Sequence, residues 1–191
     1  MNVLLLSPRP SGLIPAIESG GDEWAVSMGK PDVWPDADFI VSYGYRHKIV
    51  EPYLSKYRDR MINIHISILP WNRGADPNLW SWYDDTPKGV SIHFIDSGFD
   101  TGPVIGQMNV TQWREKETLA SSYHFISECA ERLFCYEWDN WRIGSWFILP
   151  QLGAGSYHRS IDKEPLMAQL PLKWDTPVGE VERLGEKNRA H

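Results

Sequence analysis

The stretch Met61-Ile62-Asn63-Ile64-His65-Ile66 decides the fold, because a short run of this apolar character is typical of a buried strand in a parallel sheet. Similar runs occupy residues 2–6 and 38–43, and residues 50–57 between the second run and this stretch predict a helix. Strands that alternate with helices need crossover connections, which favour parallel neighbours. The sequence therefore predicts an α/β fold with a Rossmann-like, mostly parallel sheet flanked by helices.

The rest of the chain extends this pattern and then changes character. Further strands are predicted at residues 24–28, 89–95 and 104–110, and helices at 13–18, 77–83 and 117–141. We do not expect Thr118 to cap the long helix if that helix begins at Glu115. Residues 1–150 are interpreted as the catalytic domain, and residues 151–191 as a loop-rich C-terminal extension of the same domain, because prolines and glycines punctuate them.

Charge and hydropathy exclude several classes of protein. The 191 residues include 19 Lys or Arg and 25 Asp or Glu, a net charge of −6 without a basic run. A nucleic-acid-binding face needs clustered positive charge, so we expect none. No apolar run approaches the about 18 residues of a membrane span. Cys129 and Cys135 are expected to be two buried, unlinked thiols, and the protein to be cytoplasmic.

Asn63 and His65 are the first candidates for chemistry. Residues two apart on a strand point to the same face, and the carboxyl edge of a parallel sheet is where ligands bind. The imidazole can relay a proton and the amide can donate to an oxyanion, which suits acyl transfer. Asp100, in the loop after the next predicted strand, could supply the carboxylate. Taken alone, each of these features also fits an ordinary turn or core position.

Two blocks of sequence resemble the 10-formyltetrahydrofolate-dependent formyltransferases. The first runs from Asn63-Ile64-His65 through Leu69-Pro70 to Gly74, and the second comprises residues 89–96 and Asp100-Thr101-Gly102-Pro103-Val104-Ile105. The sequence of residues 70–78 is similar to that of sugar-nucleotide N-formyltransferases. The resemblance implies the formyltransferase fold, the formyl donor 10-formyltetrahydrofolate and, as substrate, an amino-sugar nucleotide or similar amine, with a place in lipopolysaccharide biosynthesis.

The resemblance also implies roles for individual residues. Asn63 and a protonated His65 would steady the oxyanion, while Asp100 would hold His65 and help to move a proton from the amine. The pocket for the folate donor would be formed by Tyr45, His47, Ile49, Ser97, Gly98 and Phe99. The amino sugar or its phosphates would meet Asn72, Arg73 and Asp76. No metal is expected, because His65, His93 and Asp100 match no ligand spacing.

Several alternatives stay open at this stage. The part before Asn63 is shorter than in most members of the family, which puts the acceptor in doubt. The acceptor could be glycinamide ribotide, tRNA-linked methionine or water, and a trimmed relative without activity could bind a nucleotide or a partner protein. The tail around residues 155–159 could contribute to substrate binding or to dimer contacts, although surface packing is the plainer interpretation. A homodimer through Trp138, Trp141 and Trp146 is possible.

Overall fold

The computed structural model describes residues 1–30, 34–110 and 117–190. The strands are β1 (Asn2–Leu6), β2 (Glu23–Ser27), β3 (Phe39–Tyr43), β4 (Met61–His65), β5 (Arg73–Gly74), β6 (Gly89–Phe94), β7 (Val104–Asn109) and β8 (Tyr157–His158). The α-helices are α1 (Ile14–Ser19), α2 (Tyr53–Lys56), α3 (Pro77–Tyr83), α4 (Leu119–Trp141), α5 (Glu164–Gln169) and α6 (Val178–Arg189). Within these ranges, no helix combines the length and the apolar character that crossing a membrane requires.

Six strands form one sheet in the order β2-β1-β3-β4-β6-β7. The pairings from β2 through β4 are parallel, and the last two, β4 with β6 and β6 with β7, are antiparallel. The predicted α/β fold with a mostly parallel sheet is confirmed. The antiparallel pairing of β6 brings His93 opposite Asn63, so two polar side chains meet next to the carboxyl end of β4.

Side-chain alternation divides the core between the two faces of the sheet. Ile62 and Ile64 pack with α1 and α4, against Ile126, Phe134 and other apolar residues of the long helix. The opposite face is covered by a smaller cluster that includes Met61 and Tyr57. Asn63 and His65, which share the face of Met61, are thereby kept away from the core under α4.

Helix α4 begins at Leu119, and Thr118 is its N-cap. The Thr118 hydroxyl accepts a hydrogen bond from the backbone N–H of Ser121 at 3.2 Å, and the Ser121 hydroxyl accepts one from the Thr118 N–H at 2.9 Å. This reciprocal pair is a capping box. Thr118 was excluded as the cap only for a helix that begins at Glu115, and the start observed at Leu119 does not meet that condition.

The C-terminal tail contains more helix than expected. Helix α6 packs on α3 through Val178 and Val181, in a second core with Trp80 and Trp82. Gly185 allows this approach, because a Cβ atom there would lie 1.8 Å from the carbonyl oxygen of Tyr83. The tail is therefore packed onto the rest of the protein beside the predicted site.

Three smaller expectations need correction. Cys129 is buried, but Cys135 is exposed, and both thiols are free. Trp138 and Trp141 are each only 1% exposed, so they cannot provide a dimer surface. Helix α2 is also shorter than the predicted 50–57, because it begins only after Pro52, whose ring disfavours a helical conformation in the preceding residue.

Candidate active site

A cleft of about 1260 Å³ opens at the carboxyl ends of β1, β3 and β4. All three predicted catalytic residues, Asn63, His65 and Asp100, line it. The residues predicted for the folate pocket that also line it are Tyr45, His47, Ile49, Gly98 and Phe99. Ser97 of the same loop does not. The cleft therefore brings together the two blocks of sequence on which the prediction depended.

Asp100 is the centre of the polar cluster. Its Oδ1 atom accepts a hydrogen bond from Asn63 Nδ2 at 3.0 Å, and its Oδ2 atom accepts one from the backbone N–H of Gly74 at 2.8 Å. The residue adopts a left-handed conformation with φ at 53°, which a non-glycine residue rarely occupies. A backbone in this state is held by its surroundings, and here it aims the carboxylate between β4 and β5.

His65 is buried and has its two ring nitrogens in different environments. Nε2 lies 2.9 Å from the backbone carbonyl oxygen of Asn72, which can only accept, so Nε2 carries the proton. Nδ1 lies 3.6 Å from Asp100 Oδ2. Burial lowers the pKa of His65, and the neighbouring Asp100 carboxylate opposes that shift. We therefore take the resting imidazole to be neutral near pH 7, with Nδ1 able to receive a proton.

The same cluster keeps Asp100 ionised. Burial by itself would raise the pKa of this carboxyl, but His65, His93 and the Gly74 N–H together hold the pKa well below its usual range. Because burial makes His65 neutral at rest, we attribute the lowered pKa of Asp100 chiefly to the hydrogen bonds that its carboxylate accepts from the Gly74 N–H and the Asn63 amide. An ionised Asp100 next to a neutral His65 is an arrangement that can accept and hold a proton.

His93 completes the cluster, and the sequence analysis gave it no role. Its Nδ1 donates to the carbonyl oxygen of Phe94 at 2.7 Å, while Nε2 lies 3.3 Å from Asp100 Oδ1 and 3.4 Å from Asn63 Nδ2. The side chain is 2% exposed. Its position follows from the antiparallel pairing of β6 with β4, which the sequence pattern did not reveal.

Two of the three residues predicted to bind the acceptor do not line the cleft. Asn72 is completely buried, and its amide bonds to Thr86 at 2.7 Å and Ser156 at 3.2 Å. The Arg73 guanidinium bonds to Gln151 at 2.7 and 2.9 Å. Because their polar groups are used inside the protein, we do not carry either residue forward as a substrate contact. Asp76 does line the cleft, where its carboxylate pairs with Lys163 at 2.8 Å.

The tail forms one wall of the cleft. Strand β8 pairs with β5, and Tyr157, His158 and Arg159 line the cleft, with the Tyr157 ring 6.0 Å from that of Phe99 between centroids. His158 stacks on Trp80 with ring centroids 3.9 Å apart and bonds to Asp84 at 2.9 Å. Of the three interpretations that the sequence left open for residues 155–159, this placement favours a contribution to the binding site.

Comparison with known proteins agrees with this architecture. The sequence model of a family described as formyl transferase matches residues 35–134. A methionyl-tRNA formyltransferase from Finegoldia magna is 41% identical over 69 residues, which are 36% of this chain and 22% of that protein. The chain thus spans less than a quarter of the length of that curated relative.

Solved structures match over more of the chain. The formyltransferase PseJ from Anoxybacillus kamchatkensis, in complex with UDP-4,6-dideoxy-4-formamido-L-AltNAc and tetrahydrofolate, is 43% identical with a TM-score of 0.90, over 96% of this chain and 100% of that one. A 4-N formyltransferase from Francisella tularensis is 18% identical with a TM-score of 0.73, over 87% of this chain and 79% of that one, a likeness of fold alone. Because the family model matches more than half of this chain, the chain belongs to the formyl transferase family.

Proposed function

We propose that this protein transfers the formyl group of 10-formyltetrahydrofolate to the 4-amino group of a UDP-linked 4-amino-4,6-dideoxy sugar. The observation that carries the proposal is the 43% identity with PseJ along almost the whole chain, since that protein was crystallised with the formylated sugar nucleotide and tetrahydrofolate. The cleft supports it, because about 1260 Å³ exceeds the about 300–1,000 Å³ typical of a pocket for one small ligand.

Asn63 is proposed to stabilise the oxygen of the formyl group. One hydrogen of its amide is directed to Asp100 at 3.0 Å, while the contact with His93 Nε2 is long, at 3.4 Å. The second hydrogen is therefore not held by a short hydrogen bond, and it is available to an oxygen that gains negative charge when the amine attacks. A donor already placed in a site that excludes water costs little reorganisation at that moment.

His65 and Asp100 are proposed to move the proton. The new bond joins the sugar amine to the formyl carbon, the bond from that carbon to N10 of the folate breaks, and one proton passes from the amine to N10. His65 accepts the proton at Nδ1, because Nε2 is already protonated and held by the Asn72 carbonyl. The resulting imidazolium faces the Asp100 carboxylate at 3.6 Å and can support the oxyanion before it gives up the proton.

The residues that line the cleft suggest how the two substrates are arranged. Tyr45, His47, Ile49 and the Gly98-Phe99 backbone are proposed to hold the folate, and Ser97 would contribute only through the loop. Asp76, Tyr157 and Arg159, which line the same cleft, are proposed to meet the sugar nucleotide. The reacting atoms would then meet where Asn63, His65 and Asp100 lie.

The direct test is to supply the purified protein with 10-formyltetrahydrofolate and a UDP-4-amino-4,6-dideoxy sugar, and to follow products by mass spectrometry. We expect one formylated sugar nucleotide for each tetrahydrofolate formed. Formate release at the same rate without any amine would support water as the acceptor instead. Binding of both substrates without any product would support the non-catalytic alternative.

The short N-terminal half does not favour the non-catalytic alternative. The match to PseJ covers the whole of that chain with a TM-score of 0.90, so a protein described as a formyltransferase has the same reduced architecture. The cytoplasmic location, a role in lipopolysaccharide biosynthesis and a homodimer stay predictions. Sedimentation of the purified protein would decide the last of these.

A further inference from the structure

Gln151 occupies a position that the proposed mechanism does not use. Its side-chain Nε2 donates to two backbone carbonyl oxygens of the loop after β6, those of Asp100 and Gly102, at 2.8 Å each. Its Oε1 accepts from two nitrogens of Arg73, Nε at 2.9 Å and Nη2 at 2.7 Å. The two N–H groups and the carbonyl oxygen of this one amide therefore all bond to the Asp100 loop or to Arg73 on β5.

These bonds form a closed ring around Asp100. The carboxylate of Asp100 is held by the backbone N–H of Gly74, and its backbone carbonyl is held by Gln151. Gln151 is in turn bound by Arg73, the residue next to Gly74 on β5. The same short strand thus fixes Asp100 at both its carboxylate and its main chain.

The two chain segments that carry Gln151 and Arg73 are each anchored by backbone hydrogen bonds outside this ring. Leu149, two residues before Gln151, exchanges two backbone hydrogen bonds of 2.8 Å with Val104. On the other side, the backbone N–H of Arg73 donates to Ser156 O at 3.0 Å. The amide of Gln151 therefore connects two anchored segments, and removing the amide should loosen the Asp100 loop without releasing either segment.

We propose that Gln151 is a positioning residue that acts through Asp100, by holding that residue in its left-handed conformation with the carboxylate directed at His65. This inference rests on the proposed function only in taking Asp100 to be catalytic. It also gives Arg73 a different role from the predicted anion fork, since the Arg73 guanidinium orients the Gln151 amide. A misplaced catalytic group can cost about 100-fold in rate, so the expected effect is large.

The test is Gln151→Met, which keeps the length of the side chain and removes all four hydrogen bonds. We expect kcat to fall by about 10- to 100-fold while KM for the sugar nucleotide stays within about twofold, because the four hydrogen bonds of Gln151 go to none of the residues proposed to meet that substrate. The matched control is Gln169→Met, the same change at an exposed tail residue whose amide bonds only to Pro165 O within the described residues. That variant should keep the wild-type kcat.

A double variant separates positioning from mere support of the fold. If Gln151 acts through Asp100, Gln151→Met should slow the Asp100→Asn enzyme by less than about twofold, because the group that it positions is already disabled. Equal losses in the wild-type and Asp100→Asn backgrounds would overturn the proposal. So would a Gln151→Met protein with normal kcat and only a lower melting temperature.

A measurement without turnover keeps this proposal distinct from the proposed function. The titratable groups that face Asp100 are His65 on β4 and His93 on β6, and His65 can be followed by NMR of its ring during a pH titration. We expect the midpoint for His65 to fall in Gln151→Met, because the carboxylate that favours its protonation moves away, and to stay unchanged in Gln169→Met. An unchanged midpoint in both would refute the positioning role, whereas an inactive wild type with a shifted midpoint would refute only the proposed function.

Discussion

The Nδ1 atom of His65 lies 3.6 Å from Oδ2 of Asp100, while Nε2 of the same ring lies 2.9 Å from the carbonyl oxygen of Asn72. The second contact fixes which nitrogen is protonated at rest, and the first leaves the other nitrogen beside a carboxylate. A neutral base with a stabilised protonated form is what amine formylation requires, since the attacking amine must lose a proton. The same geometry yields predictions for activity, and packing elsewhere yields predictions for stability.

Removing the negative charge of Asp100 should greatly slow formyl transfer without preventing folate binding. In Asp100→Asn, we expect kcat to fall by about 100- to 1,000-fold, as for loss of one essential polar group in an acyl-transfer site. Calorimetric titration with 5-formyltetrahydrofolate, an isomer that should not transfer its formyl group, should still give saturable binding. A variant with more than about a tenth of the wild-type kcat would contradict the assignment of Asp100.

Asn63→Ala tests the oxyanion donor separately. We expect a comparable loss of kcat, with KM for the folate donor little changed, because the amide is proposed to act after binding. Asn78→Ala is a poor control because Asn78 also lines the cleft, so Asn140→Ala, on the exposed side of α4, serves instead. Steady-state kinetics would decide, and a change confined to KM would make Asn63 a binding residue only.

The pH dependence of kcat follows from burial of His65. Burial lowers the pKa of this group from its ordinary value of 6.5, so the neutral form that accepts the proton is retained below that pH. The rate should be level around neutrality and decline only on the acid side of 6.5. Because Asp100 opposes the shift, the acid limb in Asp100→Asn should move to still lower pH. An acid limb of the kcat profile centred above pH 6.5 in the wild type would contradict this prediction.

A buried ion pair far from the site should contribute to stability in acid. Asp22, with a side chain that is 0% exposed, receives hydrogen bonds from Arg142 Nε at 2.7 Å and Nη2 at 2.8 Å. The bonds from Arg142 lower its pKa to about 2, against 3.8 for the unperturbed group. The folded pKa is the lower one, so this stabilisation is complete above about pH 4 and is lost as the pH falls towards 2.

Urea unfolding at pH 7 gives the size of that contribution. Asp22→Asn should lower the free energy of unfolding by about 3 kcal/mol, the lower end for breaking a buried pair, because Arg142 keeps contact with solvent. Asp36→Asn is the control, since its carboxylate bonds to Lys56 but is 94% exposed. An exposed pair contributes about 0–1 kcal/mol. Equal effects of the two substitutions would disprove the importance of the Asp22 pair.

The capping box at the start of α4 should also be measurable. Thr118→Ala removes the acceptor for the Ser121 N–H and should cost about 1 kcal/mol of unfolding free energy. Ser121→Ala removes the reciprocal bond, and the double variant should lose less than the sum of the two, because the pair acts as a unit. A Thr118→Ala protein within about 0.3 kcal/mol of the wild type would argue for a different helix start.

The strands and the positions of the candidate catalytic residues could be predicted because their signals are local. The apolar runs around Leu5, Val41 and Ile64 need no partner to be identified, and the alternation along β4 already places Asn63 and His65 on one face. Asp100 follows from its loop and from the family resemblance. By contrast, the contacts of Asn72 and Arg73 are with Ser156 and Gln151, about 80 residues away in sequence, and a polar loop gives no indication of such partners.

The tail was harder to predict for a different reason. Helix α6 has apolar residues at helical spacing, Val178, Val181 and Leu184, but its two glycines and the preceding Pro177 resemble a loop. Only the packing against α3 explains Gly185, which lies against the Tyr83 carbonyl. Tertiary contact thus overrides the low helix propensity of glycine at this position.

Single-turnover transfer with enzyme in excess over 10-formyltetrahydrofolate tests the central claim most directly. On addition of a UDP-4-amino-4,6-dideoxy sugar, we predict that tetrahydrofolate and the formylated sugar nucleotide appear together in equal amounts, and that His65→Gln slows both by at least about 100-fold. Tetrahydrofolate appearing with formate instead of formylated sugar would contradict the account. So would transfer in His65→Gln at the wild-type rate.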